Sequence, residues 1–222
     1  MNSMFSTVAI IAFVVTFAGI SVHCVVFPVS GERRWGPVCI LRRFVGLFTL
    51  LFIAQKLSPL GVLKKLVYLL ALLCFVVLAV TGFYQRLVFN VPISGYFVMV
   101  HATFAPVFAI CLAVLAVLWA RGHRFERSDW PLLEHIIERV TLRKTSPEES
   151  VCKSVCLAQK ITFWAIIFLA LPLILSIVLS MFPLFGTNWQ DFLLAAHRWT
   201  ALVFAVVAIV HIYLVIQTQL KQ

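Results

Sequence analysis

The last long apolar stretch of the chain, residues 191–217, decides its fold and reads DFLLAAHRWTALVFAVVAIVHIYLVIQ. Its charged residues are Asp191, at the very start, and Arg198. The hydrocarbon core of a bilayer is about 30 Å thick and is crossed by roughly 20 helical residues. Because lipid offers no hydrogen bonds to the backbone, such a stretch crosses the membrane as an α-helix. Residues 191–217 are therefore predicted to form a transmembrane helix.

Four further stretches have the same apolar character, and the whole chain is 63% hydrophobic and 12% charged, with a mean hydropathy of +1.05. A water-soluble protein of 222 residues has no core large enough for so much apolar surface. The sequence therefore predicts an all-α integral membrane protein, a five-transmembrane-helix bundle that forms a single membrane domain over residues 1–222. The predicted helices are residues 4–27, 64–88, 95–120, 160–183 and 191–217.

Two connecting segments are long enough to contain structure of their own. In the first, the apolar run 44–54 is too short to span and is flanked by basic residues, which predicts an interfacial helix at about residues 40–56. The second is a predicted cytoplasmic loop, residues 121–159. Within it, residues 128–140 place their apolar side chains on one face, as expected of a short helix lying on the membrane or on a partner.

The basic residues indicate the orientation. Of the 18 Lys and Arg residues, 15 lie in two segments, residues 28–65 and 121–160. Connections rich in Lys and Arg remain in the cytoplasm. The N-terminus is therefore predicted outside and the C-terminus in the cytoplasm. The same distribution explains the net charge of +10 without a nucleic-acid partner, because the charges flank apolar spans instead of forming a basic surface.

Four of the six histidines, His23, His101, His197 and His211, fall within predicted spans. Ionisable residues are costly in lipid, so a functional role is the default interpretation. His197 and His211 are 14 positions apart on one helix. This separation leaves them about 40° from the same face and roughly 21 Å apart along the axis. Two haems stacked across a membrane, each taking one axial ligand from this helix, fit that spacing.

Depth in the membrane predicts the partners. His101 and His197 lie at similar distances from the outer ends of their spans, whereas His23 and His211 both lie near the inner ends. The predicted haem-iron ligand pairs are therefore His101 with His197 and His23 with His211. The histidines outside the spans, His123 and His135, are predicted to be surface residues.

Several motifs after residue 66 carry a family resemblance. They are a helix that ends in Ala79-Val80-Thr81-Gly82, His101 near the head of the next helix, the run QKITFW at residues 159–164, and the paired His197 and His211. In these features the chain resembles the membrane cytochrome b (gamma) subunit of respiratory formate dehydrogenases and related hydrogenases. The resemblance implies electron transfer through two b haems, between a periplasmic oxidoreductase partner and a quinone near the inner haem.

The chain departs from that family at two places. Where the family has a histidine ligand of the inner haem, this chain has Tyr68, which predicts that His23 replaces it. Just before Gln159, Cys156 and Ala158 stand where many relatives have the Asn and Gly that help to frame the quinone site. Tyr68, Gln159 and Lys160 are the predicted neighbours of a quinone.

The predicted function is that of an electron-transfer subunit and not of a stand-alone enzyme. Its predicted cofactors are two haem b groups, with a quinone as the substrate that exchanges electrons. The expected partner is a catalytic, iron–sulfur or multihaem subunit of a respiratory complex, in the cytoplasmic membrane of a bacterium or archaeon. One alternative is a haem-free or single-haem anchor of such a complex. Another is a transporter that uses the histidines as a proton or metal path, although the spans are almost free of the carboxylates such a path needs.

Overall fold

A computed structural model describes residues 2–26, 59–125, 149–182 and 186–219 of the chain. Within these ranges every regular element is an α-helix. The helices are α1 (Asn2–Val26), α2 (Pro59–Val88), α3 (Tyr96–Ala120), α4 (Glu149–Ser180) and α5 (Thr187–Gln219).

Each of these helices contains a segment long and apolar enough to cross a membrane. The prediction of an all-helical membrane protein with five spans is thus confirmed. The spans are Met4–His23, Leu60–Val88, Tyr96–Ala120, Cys156–Ser180 and Thr187–Thr218.

The helix ends differ from the predicted ones where polar residues continue a helix beyond its apolar part. The helix α4 begins at Glu149, so the final part of the predicted loop 121–159 is helical. The helix α5 begins at Thr187, one turn earlier than predicted. Hydropathy follows the apolar part of a helix and gives no signal for polar turns at its ends. The predicted helices at 40–56 and 128–140 lie outside the described residues.

The chain divides into two compact units, Met1–Leu118 and Trp119–Gln222, and each is described by itself. In the first unit the beginning of α1 lies against the end of α2. The rings of Phe13 and Phe83 meet edge to face with centroids 5.2 Å apart. The single proton of the Ser6 hydroxyl is shared between the Arg86 carbonyl, at 3.2 Å, and Asn90 Oδ1, at 3.1 Å. The prediction of a single domain over residues 1–222 remains a prediction.

A short turn joins α2 to α3 in the same unit. Asn90 adopts a left-handed conformation (φ 54°), and the amides of Phe89 and Val91 both donate to the Gln85 carbonyl, which ends α2. The Gln85 side chain accepts a bond from the Ser94 amide at 2.7 Å. The turn therefore fixes α3 antiparallel to α2, which sets the position of His101 opposite the last turns of α2.

The second unit is built on an antiparallel pair, α4 and α5, which pack against each other closely. Gly186, in a left-handed conformation (φ 84°), precedes α5, and the Gln190 side chain donates to the Ser180 carbonyl at 3.3 Å. The buried face of α5 consists of large and small apolar residues. It includes Leu202, Phe204, Ala205, Ala208 and Leu214, together with His211.

Candidate functional site

His101 is the sixth residue of α3 and bonds to α2 through its Nδ1 atom. Its Nδ1 lies 3.0 Å from the hydroxyl of Thr81, a residue that is 6% exposed. The single hydroxyl proton of Thr81 is donated to the Val77 carbonyl one turn earlier, at 2.7 Å. The oxygen therefore accepts from the imidazole, and His101 carries its proton on Nδ1.

His211, on α5, makes the corresponding contact with α4. Its Nδ1 lies 2.9 Å from the hydroxyl of Thr162, and the histidine is 5% exposed. Thr162 donates its own proton to the Ala158 carbonyl at 2.9 Å. By the same reasoning, His211 donates from Nδ1 to the threonine oxygen.

His197 is held by a backbone group instead of a hydroxyl. It is the eleventh residue of α5, and its Nδ1 lies 3.0 Å from the Leu173 carbonyl of α4. A carbonyl only accepts, so His197 also carries its proton on Nδ1.

Three of the predicted ligands therefore share one arrangement: Nδ1–H is bound to an oxygen and Nε2 keeps its lone pair. Histidines that ligate a metal almost always donate their other ring N–H in this way, which fixes both the tautomer and the ring orientation. Neutral imidazole with a lone pair on Nε2 is also the form that ligates haem iron. The donor set thus fits axial ligation of haem. The threonine hydrogen bonds are the part of the site that sequence reasoning missed, although Thr81 and Thr162 lie in the motifs that carry the family resemblance.

The backbone next to His101 is shaped for that ring. A Cβ atom built on Gly82 would lie 3.2 Å from His101 Cε1 and 3.6 Å from Nδ1. The first distance is tighter than an ordinary carbon contact. Glycine at this position therefore allows the imidazole to lie directly against α2.

The fourth predicted ligand, His23, lies in the last turn of α1 and is partly exposed. It belongs to the first unit and its predicted partner His211 to the second. The predicted pairs, His101 with His197 and His23 with His211, both join residues of different units, so both pairings remain predictions.

The predicted quinone neighbours are half-buried in two helices. Tyr68 is the tenth residue of α2, and Gln159 and Lys160 are consecutive in α4, just before Thr162. Tyr68 lies in the first unit and the other two lie in the second. Their role near a quinone remains a prediction.

His123 differs from its prediction as a surface residue. Its half-buried ring stacks on Phe163 with centroids 4.3 Å apart and on Trp119 at 6.0 Å. Trp164 Nε1 donates to the His123 carbonyl at 2.9 Å. Burial lowers the pKa of His123, the Lys160 ammonium lowers it further, and the hydrogen bond to the Trp119 carbonyl opposes both. The contact between His123 and Trp119 could have been predicted from the sequence, because residues four positions apart are adjacent on a helical turn. His135 lies outside the described residues.

Apolar membrane helices that carry buried or half-buried histidines with Nδ1–H bound to an oxygen define a class, the b-type cytochromes of membranes. The chain belongs to the prokaryotic cytochrome b561 family, whose profile matches residues 63–222. That range covers nearly all of α2 and the whole of α3, α4 and α5, whereas α1, with His23, precedes it. Comparison with curated proteins and with solved structures gives no match. The protein is accordingly a multi-pass prokaryotic membrane cytochrome of the b type that binds haem b and takes part in electron transfer.

Proposed function

We propose that this chain carries electrons across the cytoplasmic membrane through two bis-histidine haem b groups, between a partner oxidoreductase and the quinone pool. His101 and His197 would hold the outer haem, and His23 and His211 would hold the inner haem. The observation that carries the proposal is the common arrangement of three of these histidines, each with Nδ1–H bound to an oxygen.

Bound haem supplies an iron that changes oxidation state by one electron, and the protein provides the surroundings that set its potential. The chain's own residues have three tasks. They present Nε2 lone pairs from rings held through Nδ1, they cover His211 almost fully and His101 and His197 in part, and they carry two of the ligands on one helix, α5. His197 and His211 are 14 positions apart, or roughly 21 Å along the axis. An electron that crosses the full membrane against 100 mV stores about 2.3 kcal/mol.

The motifs support a finer identity for the proposed subunit. On residues 79–82, 159–164 and the paired histidines of α5, the chain is similar to the gamma subunits of respiratory formate dehydrogenases and hydrogenases. By that similarity, a periplasmic catalytic, iron–sulfur or multihaem subunit docks at the outer face. A quinone exchanges electrons at the inner face, near Tyr68, Gln159 and Lys160.

A second function, a single-haem anchor subunit, is favoured by one observation. Tyr68 stands where the related family has its inner-haem histidine, and a phenol is a rare ligand in an electron-transfer haem. In this case His101 and His197 alone would hold haem. The rest of the chain would attach the partner to the membrane.

The purified full-length protein is expected to contain two haem b groups per chain and to be reduced by dithionite with the narrow α-band of low-spin iron. A pyridine haemochrome assay against a quantitative amino-acid analysis gives the stoichiometry. One haem per chain would support the anchor with a single haem. A haem-free preparation, after expression with supplemented haem precursor, would contradict electron transfer by this chain.

A Gly82→Ala variant is expected to weaken the outer haem selectively. The new methyl group would lie 3.2 Å from His101 Cε1, so the ring must shift by a few tenths of an ångström and strain its bond to Thr81. Disturbing the group that orients a ligand lowers affinity by about 10- to 100-fold. The measurement is the rate of haem transfer from the variant to an excess of apomyoglobin.

Gly19→Ala provides the matched control, because a Cβ built on Gly19 meets no atom within 4 Å. Both substitutions put alanine in the middle of a helix, where it is favoured over glycine. Equal rates of outer-haem loss from the two variants would show that close packing at Gly82 is irrelevant to ligation by His101.

A further inference from the structure

Arg86 is a buried cation within a membrane span. It lies two residues before the end of α2, inside the span Leu60–Val88, and is 4% exposed. A guanidinium in this environment is costly unless a compensating charge or hydrogen bonds surround it, so a functional role is the default interpretation. Neither the ligand set nor the proposed quinone site uses this residue.

The backbone around Arg86 is fixed on both sides. Its carbonyl accepts a bond from Ser6 of α1, and its neighbour Gln85 closes the end of α2 by accepting the amides of Phe89 and Val91. The arginine is therefore built into a rigid helix end and does not belong to a loop.

Helix geometry relates Arg86 to the haem ligand. Arg86 follows Gly82 by four positions, which places it about 40° around α2 and roughly 6 Å further along the axis. Gly82 is the residue that lies against His101. Arg86 therefore lies one turn from the level of His101, toward the end of the unit where α2 turns into α3. This end is the predicted outer surface.

Haem b carries two propionate groups on one edge of its ring, so both carboxylates lie to one side of the iron. A haem ligated by His101 with that edge toward the nearer surface would place its propionates at the level of Arg86. Arginine binds carboxylate through two parallel hydrogen bonds, and such pairs are among the strongest in proteins when water is excluded.

We propose that Arg86 binds a propionate of the haem held by His101, as a buried ion pair that also sets the potential of that haem. The inference rests on the proposed function, because it requires a haem at His101. A ferric haem carries one more positive charge than a ferrous haem, so a nearby guanidinium disfavours the oxidised state. Loss of Arg86 leaves the propionate charge uncompensated and stabilises the oxidised state.

The test is a redox titration of the full-length protein, resolved into its two haem components, for Arg86→Gln and Arg86→Lys. In Arg86→Gln we expect the ferric-to-ferrous ratio of one component, at fixed potential, to rise at least tenfold, or about 59 mV for a one-electron couple. Arg86→Lys keeps the charge and should recover part of the shift. Arg121→Gln is the control, because it removes an equal charge from an exposed position just beyond α3, at the end farthest from His101.

The outcomes separate the inference from the proposed function. Two haems with unchanged potentials in Arg86→Gln would overturn the inference and leave the function intact. So would a shift seen in Arg198→Gln in place of Arg86→Gln, since Arg198 adjoins His197 and is the competing cation. Loss of all haem from both Arg86 variants would make the arginine a folding residue and also overturn it. An unmodified protein without haem would instead remove the proposed function itself.

Discussion

A His197→Ala variant is expected to bind one haem fewer per chain than the unmodified protein and to keep the other haem six-coordinate. In the proposed function, His197 is a ligand of the outer haem, and its ring is held by the Leu173 carbonyl. Alanine removes the ligating nitrogen and leaves an apolar gap that cannot ligate iron. The pyridine haemochrome assay gives the number of haems, and the visible spectrum of the reduced protein shows whether the remaining one is low-spin.

The pairing of His197 with His101 is tested by a second variant and by the double variant. His101→Ala should lose the same haem, recognised by its potential, and the double variant should lose no more than either single one. Ligands of one group act as a unit, so their effects are not additive. A double variant without any haem would assign the two histidines to different haems. His123→Ala is the control, a half-buried histidine of the second unit that is expected to leave this haem in place.

The apolar stretches of the sequence were sufficient to predict the five helices, because in lipid a run of about 20 apolar residues has few structures open to it. The ends of the helices were predicted less accurately. The helix α5 begins with Thr187 and Asn188, whose polar side chains end the hydropathy signal although the helical backbone continues. His197 is consequently the eleventh residue of its helix, whereas His101 is the sixth of α3. The predicted depth match therefore refers to the apolar parts of the helices.

The sequence also singled out the histidines as candidate ligands without showing what holds their rings. Thr81 is 20 positions from His101 along the chain, and Thr162 is 49 positions from His211. Only the antiparallel packing of α2 with α3, and of α4 with α5, brings each hydroxyl to its ring. Threonine in a membrane helix usually bonds its own backbone, and the pattern gives no sign that its oxygen also accepts from a neighbouring helix.

The prediction for His123 was wrong in its burial. Polar residues near it in the sequence indicated a surface position, whereas its ring is half-buried. Its ring is stacked on Trp119 from its own turn and on Phe163 from α4. The first contact is local and could have been inferred from the four-residue spacing. The second depends on how α4 packs, which single-sequence periodicity does not specify.

His23→Ala and His211→Ala are expected to lose the same haem, the one that His197→Ala keeps. The family match begins at residue 63. By the resemblance to the formate dehydrogenase and hydrogenase subunits, Tyr68 stands where an inner-haem ligand is expected. A replacement ligand must then come from elsewhere, and α1 carries His23 in its last turn. Loss of a single axial nitrogen should again remove about one haem per chain, because iron with one strong ligand is readily released or becomes high-spin.

The rival ligand is His123, since Phe163 contacts both its ring, at 4.3 Å, and that of His211, at 6.4 Å. Retention of both haems in His23→Ala, together with loss of one in His123→Ala, would transfer the role to His123. A gain of function gives a sharper answer. If α1 has taken over from α2, then adding Tyr68→His to His23→Ala should restore the lost haem, whereas Tyr84→His, a control on an exposed position of α2, should not. Restoration by Tyr68→His would mean that the chain can still bind the inner haem through a ligand on α2, and that α1 now supplies this ligand through His23.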